Sequence, residues 1–389
     1  MNKEAYEKLQ NAVRDLLPGI AAHRTEIDKA RRLPLGLVSQ LKSAGAFRMF
    51  VPESHGGYGV DIRAGMDILE MISRADGSAG WTVMIGSETP HLLALLPRER
   101  FDAIYSAGPD VIIGGGFNAQ GEAHVVEGGH QATGRWSFAS GCEHADWFLG
   151  NCVIMQDGKP RPGPAEGMPE TRGMVFKKDD VRIVDTWDVL GLRGTGSHDI
   201  EVENAFCPAD LTFDIFQGVS AISGPGFVAP LLHFVLHLGA VAVGIAQGAL
   251  DAMVALVTSG KKRLYARASL AESPVFQVHL GRADMNVRAA RALLRSTADD
   301  FWHACSTDPA SVLGLAPRIS AAAAWVTEAT TAAVDACYRA GGGGAARDSS
   351  PLQQRFRDIH TFSQHAALAE GWLGQAGAGI LGQPTGFFT

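Results

Sequence analysis

The sequence predicts an α+β protein in three parts: an N-terminal helical domain over residues 1–110, a β-barrel or β-sandwich domain over 111–215, and a C-terminal helical bundle over 216–389. Apolar residues recur at helical spacing in the first part. Near Asp110 that pattern gives way to short β-branched and aromatic runs separated by glycines. Long helical patterns return after Pro225. A chain of 389 residues is long enough to bury a core in each part.

The first part begins with a helical pattern over residues 9–20, which Pro18 is expected to interrupt because proline removes a backbone donor. A second helix, Leu35–Ala44, is predicted between Pro34 and Gly45, which are typical of a helix start and a helix end. A loop rich in turn residues follows over 51–59, and further helices are predicted over 66–74 and 81–96.

The middle part contains seven predicted strands with glycine-rich connections between them. They cover residues 111–113, 124–126, 131–138, 147–155, 173–176, 181–187 and 199–202. The Pro- and Gly-containing segment 156–172 is expected to be an exposed loop. Closely spaced short strands are typical of a small barrel or a sandwich, and the pattern does not choose between the two.

The third part contains four predicted helices, over residues 228–258, 274–304, 317–340 and 351–373, with a glycine break at 341–344. Segment 231–250 is long and apolar enough for a membrane span. However, it contains His233, His237 and Gln247 together with many small residues, and its ends lack aromatic and basic flanks. These features favour a helix buried between other helices, where it could also lie at a subunit interface.

Composition excludes several classes of protein. The net charge is −7, with 46% hydrophobic and 19% charged residues, so a nucleic-acid partner is not expected. The first residues have no apolar signal-peptide core, which predicts a cytoplasmic protein without membrane association. Five scattered cysteines form no CxxC pair and are interpreted as reduced, buried thiols.

Other catalytic signatures are weak. Cys142, His144 and Asp146 alternate along a predicted strand, a spacing that does not close a tetrahedral site, so no metal is expected. The glycines at 341–344 lack the strand and the βαβ unit of a dinucleotide-binding fingerprint. A hydrolase triad is not apparent in the order of serine, histidine and aspartate residues.

The segment from Gly134 to Trp147 is the most informative motif, because it alternates aromatic and small residues up to Ser140-Gly141. It resembles the flavin-contacting strand of the acyl-CoA dehydrogenase superfamily. Three more segments are similar to motifs of that superfamily and occur in the same order: residues 44–59, 189–200 and 274–291. The resemblance covers almost the whole chain and implies the acyl-CoA dehydrogenase-like fold, with the type 2 form of its C-terminal domain.

One position separates the two branches of this superfamily. Dehydrogenases carry a catalytic carboxylate about nine residues after an Arg-Asp pair in the last helical region. Here the pair is Arg357-Asp358, and His365 stands near the expected place, while Glu370 follows five residues later and is expected to face elsewhere. An imidazole is suited to bind or deprotonate an O–H or N–H group near neutral pH. The exchange resembles the flavin-dependent monooxygenase branch.

The resemblance also implies roles for individual residues. Ser140 lies beside flavin N5, to which its hydroxyl can donate, with Gly141 at the same strand end. Phe138 flanks the ring, and His91 assists His365 at the substrate. Further cofactor contacts are carried over to Trp136, Asn118, Arg263 and Arg267. Alternatives remain for several of these assignments, and Ser140 is also suited to satisfying backbone groups at a strand end. Trp136 is equally suited to core packing, the two arginines to a solvated basic face, and His365 to capping a helix.

The implied function is that of the oxygenase component of a two-component monooxygenase. A separate NAD(P)H:flavin reductase supplies reduced FMN or FAD, and dioxygen forms a C4a-hydroperoxyflavin that hydroxylates or epoxidises a small phenol- or indole-type aromatic. The same resemblance implies a homo-oligomer, a tetramer in the family. Two alternatives stay open: a dehydrogenase or oxidase of the acyl-CoA dehydrogenase type, and a non-catalytic protein that kept the fold.

Overall fold

The computed structural model describes residues 3–164, 166–259 and 269–385. The first part of the chain forms six helices. They are α1 Lys3–Ala30, α2 Leu35–Ala44, α3 Ile62–Ala75, α4 Gly77–Ser87, α5 Thr89–Leu93 and α6 Arg98–Tyr105. The helical character predicted for this part is confirmed.

Helix α2 has the predicted bounds, and Gly45 ends it in the left-handed conformation, with a φ of 89° and its N–H directed at the carbonyls of Leu41 and Lys42. The predicted interruption at Pro18 is wrong, because α1 continues through it. Pro18 lies on the exposed side of α1, where water can satisfy the carbonyl that loses its donor. Buried apolar side chains on both sides of Pro18 hold the two halves in place.

The middle part forms one eight-stranded mixed sheet. Its strands are β1 Ile113–Val126, β2 Gly129–Trp136, β3 Trp147–Gln156, β4 Lys159–Pro160, β5 Thr171–Lys177, β6 Arg182–Val184, β7 Asp199–Pro208 and β8 Thr212–Phe213. The order is β6-β7-β2-β1-β3-β5-β8, with β4 beside β3. Strands β1 and β3 are parallel, and the other pairs are antiparallel.

The sheet wraps around a single core instead of forming two separate layers. Cys207 on β7 places its sulfur 3.8 Å from the carbonyl oxygen of Val175 on β5, although these strands lie far apart in the sheet order. Trp136 on β2 packs against Phe176 on β5, with ring centroids 6.0 Å apart. Of the two predicted architectures, the strand arrangement is therefore closer to a barrel.

The described residues of the third part form five α-helices, α7 Pro230–Thr258, α8 Pro274–Thr307, α9 Ala316–Gly341, α10 Pro351–Phe362 and α11 Gly371–Ile380. The first three match the predicted helices closely. The single helix predicted over 351–373 is wrong, because α10 ends at Phe362 and α11 begins at Gly371. His365 lies between them in an extended conformation, with a φ of −69° and a ψ of 131°.

Helix α7 is the central helix of the protein and packs against α3, α9 and α10. Two helical segments, Pro230–Thr258 and Pro309–Gly344, are long and apolar enough to cross a membrane by length and composition alone. Their most apolar windows are 61% and 56% buried inside the fold. This packing agrees with the prediction that segment 231–250 is a buried core helix.

All five cysteines are free and buried, as the sequence predicts. Burial raises the pKa of each thiol to about 12. A thiol with so high a pKa is not a nucleophile at neutral pH. The proposed domain divisions near residues 110 and 215 fall in connecting segments, before β1 and after β8.

Candidate active site

A directed chain of hydrogen bonds runs through the end of the Gly134–Trp147 segment. The Trp81 indole N–H donates to the Ser140 hydroxyl oxygen at 2.9 Å. Ser140 and Ser197 hydroxyls are 2.7 Å apart, as are those of Ser197 and Thr195. The Thr195 hydroxyl donates to the carbonyl oxygen of Leu192 at 2.9 Å.

The final carbonyl fixes the direction of every bond in this chain, because a carbonyl can only accept. Thr195 gives its one hydroxyl proton to Leu192, so Ser197 must donate to Thr195, and Ser140 must donate to Ser197. Since Trp81 occupies one lone pair of the Ser140 oxygen, the second lone pair is available. Ser140 therefore offers a ligand an acceptor and not a donor.

Phe138 lies just before Ser140 in an unusual backbone conformation. Its φ is +66°, and its side chain is 65% exposed. The Trp187 ring stands edge-on to it, with centroids 6.2 Å apart. A large aromatic held in a sparsely populated backbone region is a feature of functional sites. It gives this strand end an exposed aromatic surface that suits a flat ring.

Trp136, by contrast, belongs to the interior of the sheet. It is fully buried, and its indole N–H donates to the carbonyl of Asn151 at 2.7 Å. A Cβ on the neighbouring Gly121, Gly134 or Gly150 would meet the indole ring at 2.3–2.7 Å. Alternation predicted that Trp136 shares a face with Phe138, but β2 ends at Trp136 and the positive φ of Phe138 breaks the alternation. We therefore assign Trp136 to the core, not to the cofactor.

His365 lies in a largely apolar setting at the break between α10 and α11. The Trp81 ring is 5.7 Å from it and the Phe234 ring 5.8 Å, both measured between centroids. Burial lowers the pKa of His365 to about 4, so the imidazole is neutral at neutral pH. Its Nδ1 accepts a hydrogen bond from the backbone N–H of Ala367 at 3.2 Å. In a neutral imidazole this leaves the proton on Nε2, which becomes a donor.

Trp81 joins the two residues that the sequence singled out. Its indole N–H contacts Ser140, and its ring packs against His365. The sequence placed Trp81 on a helix but gave it no function. Its position shows that the strand end and the α10–α11 break border the same region, with α4 between them.

His91 lies on α5 beside a buried carboxylate. Its Nδ1 is 2.6 Å from Oε2 of Glu88, and both residues are almost fully buried. Burial alone would raise the pKa of Glu88, but the imidazoles of His91, His233 and His237 hold it well below the usual value. His233 contacts His91 and the next residue of α7, Phe234, contacts His365. Two consecutive residues of α7, His233 and Phe234, thus contact the two predicted histidines, His91 and His365.

The remaining predicted residues are more scattered. Asn118 is exposed at an irregularity in the pairing of β1 with β3, where bulges commonly redirect side chains. Gly141 has a φ of 70° and donates its N–H to the carbonyl of Thr195 at 2.8 Å. Arg263 and Arg267 lie outside the described residues. Glu370 is exposed at the start of α11.

A buried acidic residue connects α10 to the hydrogen-bonded chain. Oδ1 of Asp358 accepts from the backbone N–H of Leu192 at 2.7 Å, and the hydroxyl of Thr361 accepts from Gly191 at 2.8 Å. Burial, and then the neighbouring Asp76, raise the pKa of Asp358 to about 7. Asp358 and Thr361 therefore hold the turn that leads to Thr195.

Sequence reasoning missed several of these residues. Thr195 and Ser197 lie within the recognised segment 189–200, but nothing in one sequence shows which hydroxyl faces Ser140. The spacings Glu88–His91 and His233–His237, three and four residues on helices, were visible signals of shared helix faces. Trp81 and Phe234 have no local signal, because their contacts join segments remote in sequence.

Two family profiles match the chain. "Acyl-CoA dehydrogenase, N-terminal domain" matches residues 3–95, and "Acyl-CoA dehydrogenase, C-terminal domain" matches residues 236–370. The chain is 33% identical to an indole-3-acetate monooxygenase of Pseudomonas putida, over 97% of this chain and 94% of the relative. The chain belongs to the acyl-CoA dehydrogenase superfamily.

Within that superfamily it is a flavin-dependent monooxygenase, an oxidoreductase that uses reduced flavin and dioxygen. It is 30% identical to the flavin-dependent monooxygenase oxygenase subunit HsaA of Rhodococcus jostii, over 90% of this chain and 92% of the relative. The crystal structure of 3-HSA hydroxylase from Rhodococcus sp. RHA1 superposes with a TM-score of 0.89 at 27% identity, covering 97% of this chain and 98% of the other. The monooxygenase branch, predicted from His365, is confirmed.

The residues at the strand end fit a reduced flavin. Reduced flavin carries a proton on N5, and the free lone pair of Ser140 is an acceptor for such a donor. The exposed ring of Phe138 supplies an apolar surface for the isoalloxazine. Both features arise from this chain's own geometry, independently of the relatives.

Proposed function

We propose that this monooxygenase is the oxygenase component of a two-component system and inserts one oxygen atom into a small phenol- or indole-type aromatic substrate. A separate NAD(P)H-dependent flavin reductase would supply the reduced flavin. Relatives support this reading by name: they include indole-3-acetate monooxygenases and the oxygenase component of an FADH2-dependent resorcinol hydroxylase of a Rhizobium strain, 28% identical to this chain. We also propose that the chain assembles as a tetramer.

The observation that carries the proposal is the state of His365. A neutral imidazole with its proton on Nε2 cannot replace the carboxylate that a dehydrogenase uses to remove a C–H proton. It can donate a hydrogen bond to an oxygen or π-electron-rich group of an aromatic substrate. We assign His365 to orienting the substrate, since deprotonation by Nε2 would require the other tautomer.

Ser140 holds the reduced flavin by accepting from its N5–H. Bound reduced flavin would supply the oxygen chemistry. The contribution of Ser140 would be to accept a hydrogen bond from the flavin N5–H at its free lone pair and so keep that proton in place. The apolar rings of Trp81 and Phe234 limit the access of water beside His365.

His91 is proposed to contact the substrate from the other side of the start of α7. Its Nδ1 is held by Glu88, and its ring stands edge-on to Phe227, with centroids 5.2 Å apart. Glu88 therefore acts as a positioning residue for His91 in this proposal.

The proposal is tested with the purified chain, anaerobically reduced FMN or FAD, and a generic flavin reductase for steady-state assays. Rapid mixing with dioxygen is expected to give a transient near-ultraviolet absorbance before oxidised flavin appears. Phenols and indoles are then screened for incorporation of isotope-labelled oxygen by mass spectrometry. Bleaching of bound oxidised flavin by an acyl-CoA under anaerobic conditions, without labelled product, would contradict the proposal.

The matched pair of variants is His365→Ala and His303→Ala. His303 is exposed on α8 and controls for a histidine-to-alanine change elsewhere. We expect only His365→Ala to lower product formation while flavin binding is preserved. If reduced flavin no longer bound to His365→Ala, the residue would be structural and the assignment wrong.

A further inference from the structure

Four buried side chains, Glu88, His91, His233 and His237, form a cluster, and the proposed function gives a role only to the first two. Glu88 and His91 are three residues apart on the α5 turn, and His233 and His237 are four residues apart on α7. These spacings place both members of each pair on one helix face. Glu-x-x-His pairs and histidine pairs at this spacing are recurrent ways for helices to present metal ligands.

The structure brings the two pairs together. Oxygen Oε2 of Glu88 lies 2.6 Å from Nδ1 of His91 and 3.4 Å from Nδ1 of His233. The other oxygen, Oε1, bonds to Nδ1 of His237. Donor atoms of Glu88, His91 and His233 all lie within 4.8 Å of one another. All four residues are at most 5% exposed.

The unpaired nitrogens of His233 are a second observation, separate from the spacing of the four residues, that points to a bound ligand. His233 is completely buried, and neither of its ring nitrogens has a hydrogen-bond partner among the described residues. Its Nδ1 faces Oε2 of Glu88 without forming a hydrogen bond. Leaving a buried polar atom unpaired costs about 1–3 kcal/mol. The two oxygens of Glu88 form hydrogen bonds with His91 and His237. His233 is therefore the one imidazole of the three that forms no hydrogen bond with the carboxylate.

We propose that Glu88, His91 and His233 bind a divalent transition-metal ion, with Zn²⁺ as the ion best matched to the donors. Two imidazole nitrogens and one carboxylate oxygen are a donor set that Zn²⁺ commonly takes in proteins, with a fourth position left for water. His237 donates to the other oxygen of Glu88 and orients the carboxylate, as outer partners of metal ligands do.

The two distances from the Glu88 carboxylate to its imidazole neighbours need little change. Bond lengths of about 2.0–2.2 Å and tetrahedral angles place ligand atoms roughly 3.3 Å apart. The separation of 3.4 Å between His233 and Glu88 already meets this requirement. The separation of 2.6 Å between His91 and Glu88 has to open by less than about 1 Å. His91 then binds the ion through Nδ1 and carries its proton on Nε2.

A redox-inert ion suits this position. The four side chains are buried, and the Phe50 ring packs against His91 and His233, with centroids 5.2 and 5.0 Å apart. An ion there would tie α7 to the turn between α4 and α5 and fix the ring of His91. The inference goes beyond the proposed function, because metal binding requires neither flavin nor substrate.

The test is metal content by inductively coupled plasma mass spectrometry on protein purified without a histidine tag. We expect about one equivalent of zinc per chain in the full-length protein, and a more than tenfold loss in His233→Ala. His303→Ala, an exposed histidine, is expected to keep the metal. After chelation, Co²⁺ should give the visible absorption bands of a tetrahedral site in the wild type and not in His233→Ala.

His233→Ala leaves a cavity and could fail to fold. The metal content of the wild type and its response to Zn²⁺ and Co²⁺ are therefore sufficient to test the proposal. Protein without stoichiometric metal, whose thermal stability and visible spectrum do not respond to Zn²⁺ or Co²⁺, would overturn the proposal. The four side chains would then form a cluster that shares protons. Either result is independent of the flavin assays, so failure here leaves the proposed function intact.

Discussion

The Ser140 hydroxyl donates its proton to the Ser197 hydroxyl, 2.7 Å away. The direction follows from the end of the chain, where Thr195 can only donate to the carbonyl of Leu192. Ser140 is thereby held as an acceptor toward any ligand beside it. Reduced flavin presents an N5–H donor and oxidised flavin presents an N5 acceptor. If Ser140 contacts N5 as proposed, the chain of hydroxyls would favour the reduced form.

Ser197→Ala should therefore weaken the preference for reduced flavin. Without Ser197, the Ser140 proton is free to turn toward flavin N5, which stabilises the oxidised form. We expect the ratio of the dissociation constants of oxidised and reduced flavin to fall roughly tenfold, the effect of one hydrogen bond. Anaerobic equilibrium binding of both forms measures the ratio. Ser106→Ala, at an exposed serine, is the control, and an unchanged ratio in Ser197→Ala would show that the direction of the chain is irrelevant.

His365 should act as a neutral donor across the working pH range. Its pKa of about 4 means that the imidazole does not titrate between pH 6 and 8. His365→Ala is expected to lower the rate of product formation by roughly tenfold or more, and His365→Gln, which keeps an amide N–H, to restore part of it. The measurement is product yield per flavin oxidised, followed against pH. If the product yield of the wild type changed with pH around 6.5 and that of His365→Gln did not, the imidazole would titrate during turnover and the prediction would be wrong.

Asp358 should make the protein less stable as pH rises. Its folded-state pKa of about 7 lies above the ordinary value of 3.8, so folding favours the protonated form. The stabilisation is complete below about pH 4 and is lost as pH rises through 7, at a cost of a few kcal/mol. Asp358→Asn removes the buried charge and keeps an oxygen for the N–H of Leu192. We expect its melting temperature to exceed that of the wild type at pH 8 and to converge with it near pH 4. Asp179→Asn, at an exposed position, is the control and should have the melting temperature of the wild type at every pH. A difference in melting temperature between Asp358→Asn and the wild type that did not change with pH would contradict the assignment.

Gly150→Ala should destabilise the sheet, because the added Cβ would lie 2.6 Å from the Trp136 ring. Overpacking of this kind costs about 1–3 kcal/mol. Gly314→Ala is the control, because a Cβ there meets nothing within 4 Å. Denaturant unfolding measures both variants. Adding Trp136→Phe should make the two substitutions non-additive, since a smaller ring leaves room for the methyl group; strictly additive effects would show that the contact is not the cause.

Much of the fold could be predicted from local pattern. The three-part order, the bounds of α2 and the core helix α7 follow from the period of apolar residues and from the proline and glycine that flank α2. The errors at Pro18 and at the break after Phe362 have a common cause. Packing of the buried face carries α1 through a proline, whereas no local signal marks the end of α10.

The site divides in the same way. Sequence alone determined the family, the segment around Ser140 that is proposed to contact flavin, and the presence of His365 where dehydrogenases have a carboxylate, because these depend on residue identity at motif positions. Tertiary structure decided what those residues can do. The acceptor role of Ser140 depends on Thr195, the donor role of His365 on the N–H of Ala367, and their proximity on Trp81. Hydrogen-bond direction and tautomer are properties of neighbours in space, and a motif does not contain them.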